Sequence, residues 1–199
     1  MFSGIIKEIG RVDNIIKTDG KITLEVAAPL LLKDAVIDDS IAVNGVCLTV
    51  VHLSANTATF EILPETIART SLGDLVIGGE VNVESSITLQ DKIGGHMVQG
   101  HVDDVVIIKS IQANGAALDI TFTGNSAYTD MLVEKAYIGL DGMSLTITAV
   151  EENTFSVMII PHTFNNTVVK NWQVNTKVNM EVDIINKSIY KYIKALEKK

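Results

Sequence analysis

Only one of the 199 residues, Cys47, is a cysteine, so no intrachain disulfide can form, and the chain suits a reducing compartment or indifference to redox state. No stretch reaches the roughly 18 apolar residues of a membrane span. The start, M-F-S-G-I-I-K-E-I-G, lacks the basic opening and long apolar core of a secretory signal. A cytoplasmic protein is therefore expected. The formal charge of −8 leaves no basic stripe for nucleic acid or an anionic membrane, and no run of like charges suggests an interaction tail. Metal-ligand spacings are missing too, for neither H-x-x-x-H nor C-x-x-C occurs, and His96 and His101 flank Gly100 at poor spacing for two ligands. There is no glycine-rich phosphate loop; Gly94-Gly95-His96 and Gly78-Gly79 read as turns.

What is present is written twice. Ser40 to Val51, S-I-A-V-N-G-V-C-L-T-V-V, returns as Tyr137 to Thr148, Y-I-G-L-D-G-M-S-L-T-I-T, at an offset of 97 residues. Each copy is a hairpin in which β-branched runs flank Asn44-Gly45 or Asp141-Gly142, pairs that tolerate the positive φ of a type I′ turn. Strand alternation then puts Cys47 and Thr49 on one sheet face with Leu48 on the other, and treats Ser144, Thr146 and Leu145 in the same way. The offset also carries Pro64-x-Thr66 onto Pro161-x-Thr163 and Val81-Asn82-Val83-Glu84 onto Val178-Asn179-Met180-Glu181. Near the starts it is 96, matching Met1-x-x-Gly4 to Met97-x-x-Gly100. A repeat of this length is a small domain, not a solenoid unit.

Each half reads as about six short strands with one or two helical turns, the pattern of a small closed barrel. In the first half we expect strands at 2–14, 22–26, 40–51 (the hairpin), 57–63 and 80–84. A turn is expected at Thr18-Asp19-Gly20, and short helical pieces at Pro29–Ala35 and Pro64–Thr70. The second half follows with 98–111, 117–123, 131–135, 137–148, 154–160 and 177–183. Where the first half turns on Gly73 and Gly78-Gly79, Asn171 and Asn175 offer similar left-handed conformations. Beyond Asp183, apolar residues at helical spacing (Ile185, Ile189, Tyr192, Ile193, Leu196) predict an amphipathic helix capped by Asn186 or Ser188, with a surface to cover that belongs to another subunit. The resulting division is an N-terminal barrel at 1–96, a C-terminal barrel at 97–185 and a helix at 186–199.

The duplicated Thr49/Thr146 and Thr66/Thr163, with the backbone beside Pro64 and Pro161, offer neutral hydrogen-bond partners in each half. They suit an uncharged ligand rich in hydroxyl or amide-like edges. Cys47 and Ser144 read first as small residues on a sheet face, and Asp183 as a solvated strand-end acid. His101, which has no histidine counterpart at Ile5, is the better candidate for binding or proton transfer.

With M-F-S-G-I-I, S-I-A-V-N-G-V-C-L-T-V, G-G-H-M-V-Q-G-H-V-D, I-G-L-D-G-M-S-L-T-I and I-P-H-T in order over essentially the whole chain, the sequence resembles the α-chain riboflavin synthases, duplicated lumazine-binding barrels. That resemblance implies an all-β chain of two six-stranded closed barrels and a C-terminal helix that gathers three subunits. It implies dismutation of two 6,7-dimethyl-8-ribityllumazine molecules to riboflavin and 5-amino-6-ribitylaminouracil by transfer of a four-carbon unit, without metal or redox cofactor. Association with a lumazine synthase is left open. Carried over, the N-terminal site uses Gly4, Ile5 and Ile6, then Cys47, Leu48 and Thr49, then Glu61, Ile62, Leu63, Pro64, Glu65 and Thr66. The C-terminal site uses Gly100, His101 and Val102, then Lys135, Ser144, Leu145 and Thr146, then Met158, Ile159, Ile160, Pro161, His162 and Thr163.

In the implied chemistry His101 is the base that takes a proton from the C7 methyl, assisted by Ser144 and Thr146. The nucleophile is left among water, a ribityl hydroxyl, Ser144 and Cys47. Asp183 orients one of these groups, and Ser40, with Tyr137 as its copy, lies near the site. Gln99 stands where many relatives have a smaller Ser. The rivals are a lumazine or flavin carrier of the antenna type and a ligand-free interaction module, and the number of lumazines bound per chain separates them.

Overall fold

The computed structural model describes residues 1–18 and 20–197; Asp19 of the expected first turn and the last two residues of the expected helical segment lie outside them. Six strands make each closed antiparallel barrel. The first holds β1 (Glu8–Thr18), β2 (Lys21–Ala27), β3 (Ser40–Val43), β4 (Val46–Leu53), β5 (Thr57–Ile62) and β6 (Glu80–Ser85), in the order β1-β2-β5-β4-β3-β6. The second holds β7 (Asp104–Asn114), β8 (Ala117–Thr123), β9 (Tyr137–Leu140), β10 (Met143–Glu151), β11 (Thr154–Ile159) and β12 (Lys177–Val182), in the equivalent order. Short helices α1 (Pro64–Arg69) and α3 (Pro161–Asn166) open on proline at the first turn, where its missing N–H costs nothing. Helix α2 (Ser126–Thr129), started by the Asn125 side chain accepting from Ala127 N, lies just ahead of residues 131–135, the expected counterpart of the Pro29–Ala35 piece, which are turn backbone.

Alternation closes the barrels. Ile22, Leu24 and Val26 of β2 and Val46, Leu48 and Val50 of β4 point inward and are buried, while Thr49 is exposed. Register shifts at Val12/Asn14 and Val50/His52 recur at Ile108/Ser110 and Ile147/Ala149, so the bulges that curve the strands were duplicated with the sequence. The barrel interiors are filled with side chains. In the second, Phe122 stacks on Phe155 at 5.2 Å and meets the edge of Trp172 at 5.8 Å. Whatever these barrels bind must therefore sit on an outer face.

Both turns adopt the expected left-handed backbone: φ is 43° and 74° at Asn44-Gly45, and 43° and 81° at Asp141-Gly142. They abut, and a Cβ on Gly45 would stand 2.5 Å from Gly142 N. Two asparagines at repeat-equivalent positions stitch the barrels together. Asn82 Nδ2 donates to Asp141 O (2.9 Å) while its Oδ1 accepts from Val168 N (2.9 Å). Asn179 Nδ2 donates to Asn44 O (2.8 Å) while its Oδ1 accepts from Ser71 N (2.7 Å). Nearly every polar atom of both amides is satisfied across the junction, as burial demands.

Four expectations need correction. Residues 2–7 and 98–103 are not the first parts of strands β1 and β7. Positive φ at Gly4 (75°) and Gly100 (78°) turns both segments aside, and Phe2 and Val98 pair with each other through bonds of 2.7 and 3.1 Å between the barrels. Asn175 takes the left-handed backbone expected of it, at φ 73°, but Asn171 lies in a right-handed 3-10 turn, as does Gly73. The C-terminal helix, α4 (Ile184–Leu196), is capped by Asp183, whose side chain accepts from Ile185 N, and not by Asn186 or Ser188. Its start at Ile184 precedes the expected 186 because the last strand runs directly into the cap. Among the described residues, no helix is long and apolar enough to cross a membrane.

Candidate functional site

Strand β10 presents Ser144 and Thr146 outward beside a cavity of about 170 Å³ lined by Gly4, Ile5, Ile6, Met143, Ser144, Leu145, His162, Thr163, Asn166 and Thr167. The first three of these come from the N-terminal segment. Ser144 N donates to Gly4 O at 2.8 Å, a Cβ on Gly4 would lie 2.5 Å from Ser144 Cβ, and Ile6 packs on the core of the second barrel. The mirror arrangement occurs at β4. Cys47 N donates to Gly100 O at 2.9 Å, a Cβ on Gly100 would lie 2.6 Å from Cys47 Cβ, and Val102 packs on the core of the first barrel.

The segments are thus exchanged. Sequence order assigns Gly4, Ile5 and Ile6 to the Cys47 site and Gly100, His101 and Val102 to the Ser144 site; the structure groups them the other way. The cause is the chain path: each segment precedes its own barrel and crosses the junction before entering it. His101, exposed, follows Gly100 onto the Cys47 side and is not among the residues that line the cavity beside Ser144.

The histidine that does meet Ser144 is His96. Its Nδ1 lies 2.7 Å from Ser144 Oγ, its ring stacks on Tyr137 at 5.3 Å and 7°, and only 6% of it is exposed. Burial pushes its pKa below the ordinary imidazole value, opposed by the Asp183 carboxylate. Its Nε2 is buried and has no hydrogen-bond partner among the described residues. A neutral imidazole accepts a proton from a hydroxyl at this distance when the ring nitrogen facing it carries none. Gly95 lets the backbone pass, since a Cβ there would fall 2.5 Å from Ser144 Cβ and 2.7 Å from its Oγ. Sequence reasoning weighed His96 only as a metal ligand. Lying in the linker ahead of the second copy, it has no repeat partner to draw attention to it.

The remaining candidates distribute as follows. Thr146 faces Tyr137 across β9 and β10, as Ser40 faces Thr49 across β3 and β4. Leu48, Ile62, Leu145 and Ile159 send their side chains into the barrel cores, leaving only backbone for a ligand. Leu63, Met158, Ile160, Pro64, Pro161 and His162 are exposed, and Thr66 and Thr163 half-buried. Glu61 pairs with Lys21 at 2.5 Å and Glu65 with Arg69, both at the surface. Lys135 is exposed, has a left-handed backbone (φ 68°) like Asp38 at its repeat position (φ 75°), and does not line the cavity. Gln99 donates its backbone N–H to Glu181.

Comparison with known proteins agrees with this duplicated arrangement. A family described as the Lumazine binding domain matches residues 3–86 and again 99–183. The riboflavin synthase of Bacillus subtilis (strain 168) is 38% identical over 200 residues, covering 100% of this chain and 93% of that protein. That of Schizosaccharomyces pombe is 40% identical over 197 residues, covering 98% and 95%. Among solved structures, LumP complexed with 6,7-dimethyl-8-(1'-D-ribityl) lumazine superposes with a TM-score of 0.83 at 22% identity, covering 92% of this chain and 99% of that one. LumP complexed with riboflavin gives 0.85 at 22% identity, with the same coverage.

Proposed function

Because this chain belongs to the riboflavin synthase family of duplicated lumazine-binding barrels, we propose that it catalyses the dismutation of two 6,7-dimethyl-8-ribityllumazine molecules. One gives a four-carbon unit to the other, yielding riboflavin and 5-amino-6-ribitylaminouracil. The observation that carries this is the pair of matched outer faces, Cys47 with Thr49 and Ser144 with Thr146, each crossed by a glycine-turned segment from the other half. Two similar sites are what a reaction between two copies of one substrate needs.

Chemistry differs between the faces. On the second, His96 beside Ser144 is suited to accept the proton that leaves the C7 methyl, directly or through the Ser144 hydroxyl. On the first, Cys47 and His101 offer a thiol and an imidazole for the acceptor ring. A cavity of about 170 Å³ is smaller than the roughly 300 Å³ at which small-molecule pockets begin, so it holds part of a ligand and leaves the rest for another surface. That surface is a second copy of the chain, with α4 gathering three subunits. Its apolar residues Ile185, Ile189, Tyr192, Ile193 and Leu196 are 49–68% exposed. Holding two reactants together offsets several kcal/mol of what is otherwise a bimolecular barrier. A cytoplasmic setting fits the single cysteine.

The test is incubation of the metal-free protein with 6,7-dimethyl-8-ribityllumazine, following riboflavin by absorbance. Riboflavin at half the lumazine consumed, well above background, is the expected result. Tight binding without turnover makes the chain a carrier instead.

A further inference from the structure

We propose that Glu84 and Glu181 are positioning residues through which each barrel shapes the site on the other. Neither reaches an outer face. Glu84 on β6 is 1% exposed and Glu181 on β12 is 4% exposed, depths at which a carboxylate is unfavourable unless it is fully engaged. Both are engaged by backbone. Glu181 Oε1 accepts from Gln99 N at 2.7 Å, and its Oε2 accepts from Gly100 N at 2.9 Å and His101 N at 3.1 Å. Glu84 Oε1 accepts from Ser3 N at 2.8 Å and Ser3 Oγ at 2.7 Å, and its Oε2 accepts from Gly4 N at 3.1 Å.

These are consecutive N–H groups turned to one side by a left-handed glycine, φ 75° at Gly4 and 78° at Gly100, the concavity that backbone builds around an anion. The curvature is functional in its direction. From the Glu181 nest the chain runs on to hydrogen-bond Cys47 of the first barrel, and from the Glu84 nest to hydrogen-bond Ser144 of the second. A carboxylate in the second barrel thus fixes the wall of the Cys47 face, His101 included, and one in the first barrel fixes the wall of the Ser144 face. An amide cannot substitute. It offers one acceptor oxygen and turns an NH2 toward backbone donors.

The assignment of these walls to ligand sites rests on the proposed function; the nests themselves do not. Cys47, the sole cysteine, reports on its wall directly through its rate of alkylation by iodoacetamide, read by mass spectrometry. Glu181→Gln is expected to raise that rate about tenfold and to abolish protection of Cys47 by 6,7-dimethyl-8-ribityllumazine, as local opening of the segment requires. Glu84→Gln, although in the same barrel as Cys47, is expected to leave the rate within about twofold of the parent. Should Glu181→Gln fail to fold, Glu181→Asp keeps the charge but withdraws it from the nest and is expected to expose Cys47 as well. Alkylation unchanged in the Glu181 variants, or raised equally by Glu84→Gln, overturns the proposal. Exposure of Cys47 by Glu181→Gln in a protein whose Cys47 lumazine never protects supports the positioning role and overturns only the ligand reading.

Discussion

As the base of the proposed reaction, His96 beside Ser144 needs a neutral imidazole. Burial lowers the His96 pKa from 6.5, so activity that depends on the pair persists below the pH at which an ordinary histidine would be half charged, and fails only further down. Replacing His96 by Gln keeps a polar partner for Ser144 but removes the proton acceptor. Riboflavin formation is expected to fall by about a hundredfold or more while lumazine binding stays within a few fold, as steady-state kinetics and titration would show. Asp141 is a second titrating residue, of opposite sense. Burial raises its carboxyl to about 7, against the N–H groups of Asn179 and Trp172 that favour the anion. The folded chain therefore binds this proton where the unfolded chain has lost it, from about pH 4 to 7. Stability from this group is present at the acid end and is lost as pH rises through 7. Asp141→Asn, which copies Asn44 of the other repeat, should gain on the parent by a few kcal/mol as pH goes from about 4 to 8; chemical unfolding at both ends checks it.

At the level of elements, the hairpins β3-β4 and β9-β10 carry both the outward polar pairs and the abutting turns, so one motif builds site and junction together. The crossing segments complete them, and glycine is required there for two reasons at once. At Gly100 a Cβ meets a backbone φ of 78° and a distance of 2.6 Å to Cys47 Cβ, whereas Gly20, at φ 98°, has open space around it. Gly20→Ala should cost only the left-handed penalty, about 1–2 kcal/mol. Gly100→Ala should cost more than that and also weaken lumazine binding, and urea unfolding of the two variants side by side isolates the steric part. If both lose the same stability, the close packing on Cys47 is not what demands glycine.

For the whole molecule, α4 carries an apolar stripe that neither barrel of the described chain covers. Lys187 anchors it to Asp103 at 2.8 Å, but its apolar residues remain open to solvent. Ile189→Glu places a charge in that stripe without touching either barrel. The parent chain is expected to sediment as a trimer, and the variant as a monomer that retains its fold by circular dichroism and has lost most riboflavin formation. A monomeric parent with full turnover would instead place both reacting lumazines on one chain.

How much of this was legible beforehand depends on the range of the interaction. The duplicated hairpins, the type I′ turns at Asn44-Gly45 and Asp141-Gly142, the inward Leu48 and Leu145 and the amphipathic helix all follow from local alternation, helical spacing and backbone preference, so the amino-acid sequence by itself determined two barrels with matched outer faces. The offset of 97 residues even marked Asn82/Asn179 and Glu84/Glu181, without saying what they hold. The Asp183 cap on α4 is a local bond from Ile185 N, but the tertiary structure alone decided which segment completes which face, and that His96 and not His101 meets Ser144. Each of those depends on where the chain crosses between barrels. A repeat pattern records which residues correspond, but contact across a junction is fixed by packing and by where buried carboxylates and amides find their hydrogen bonds.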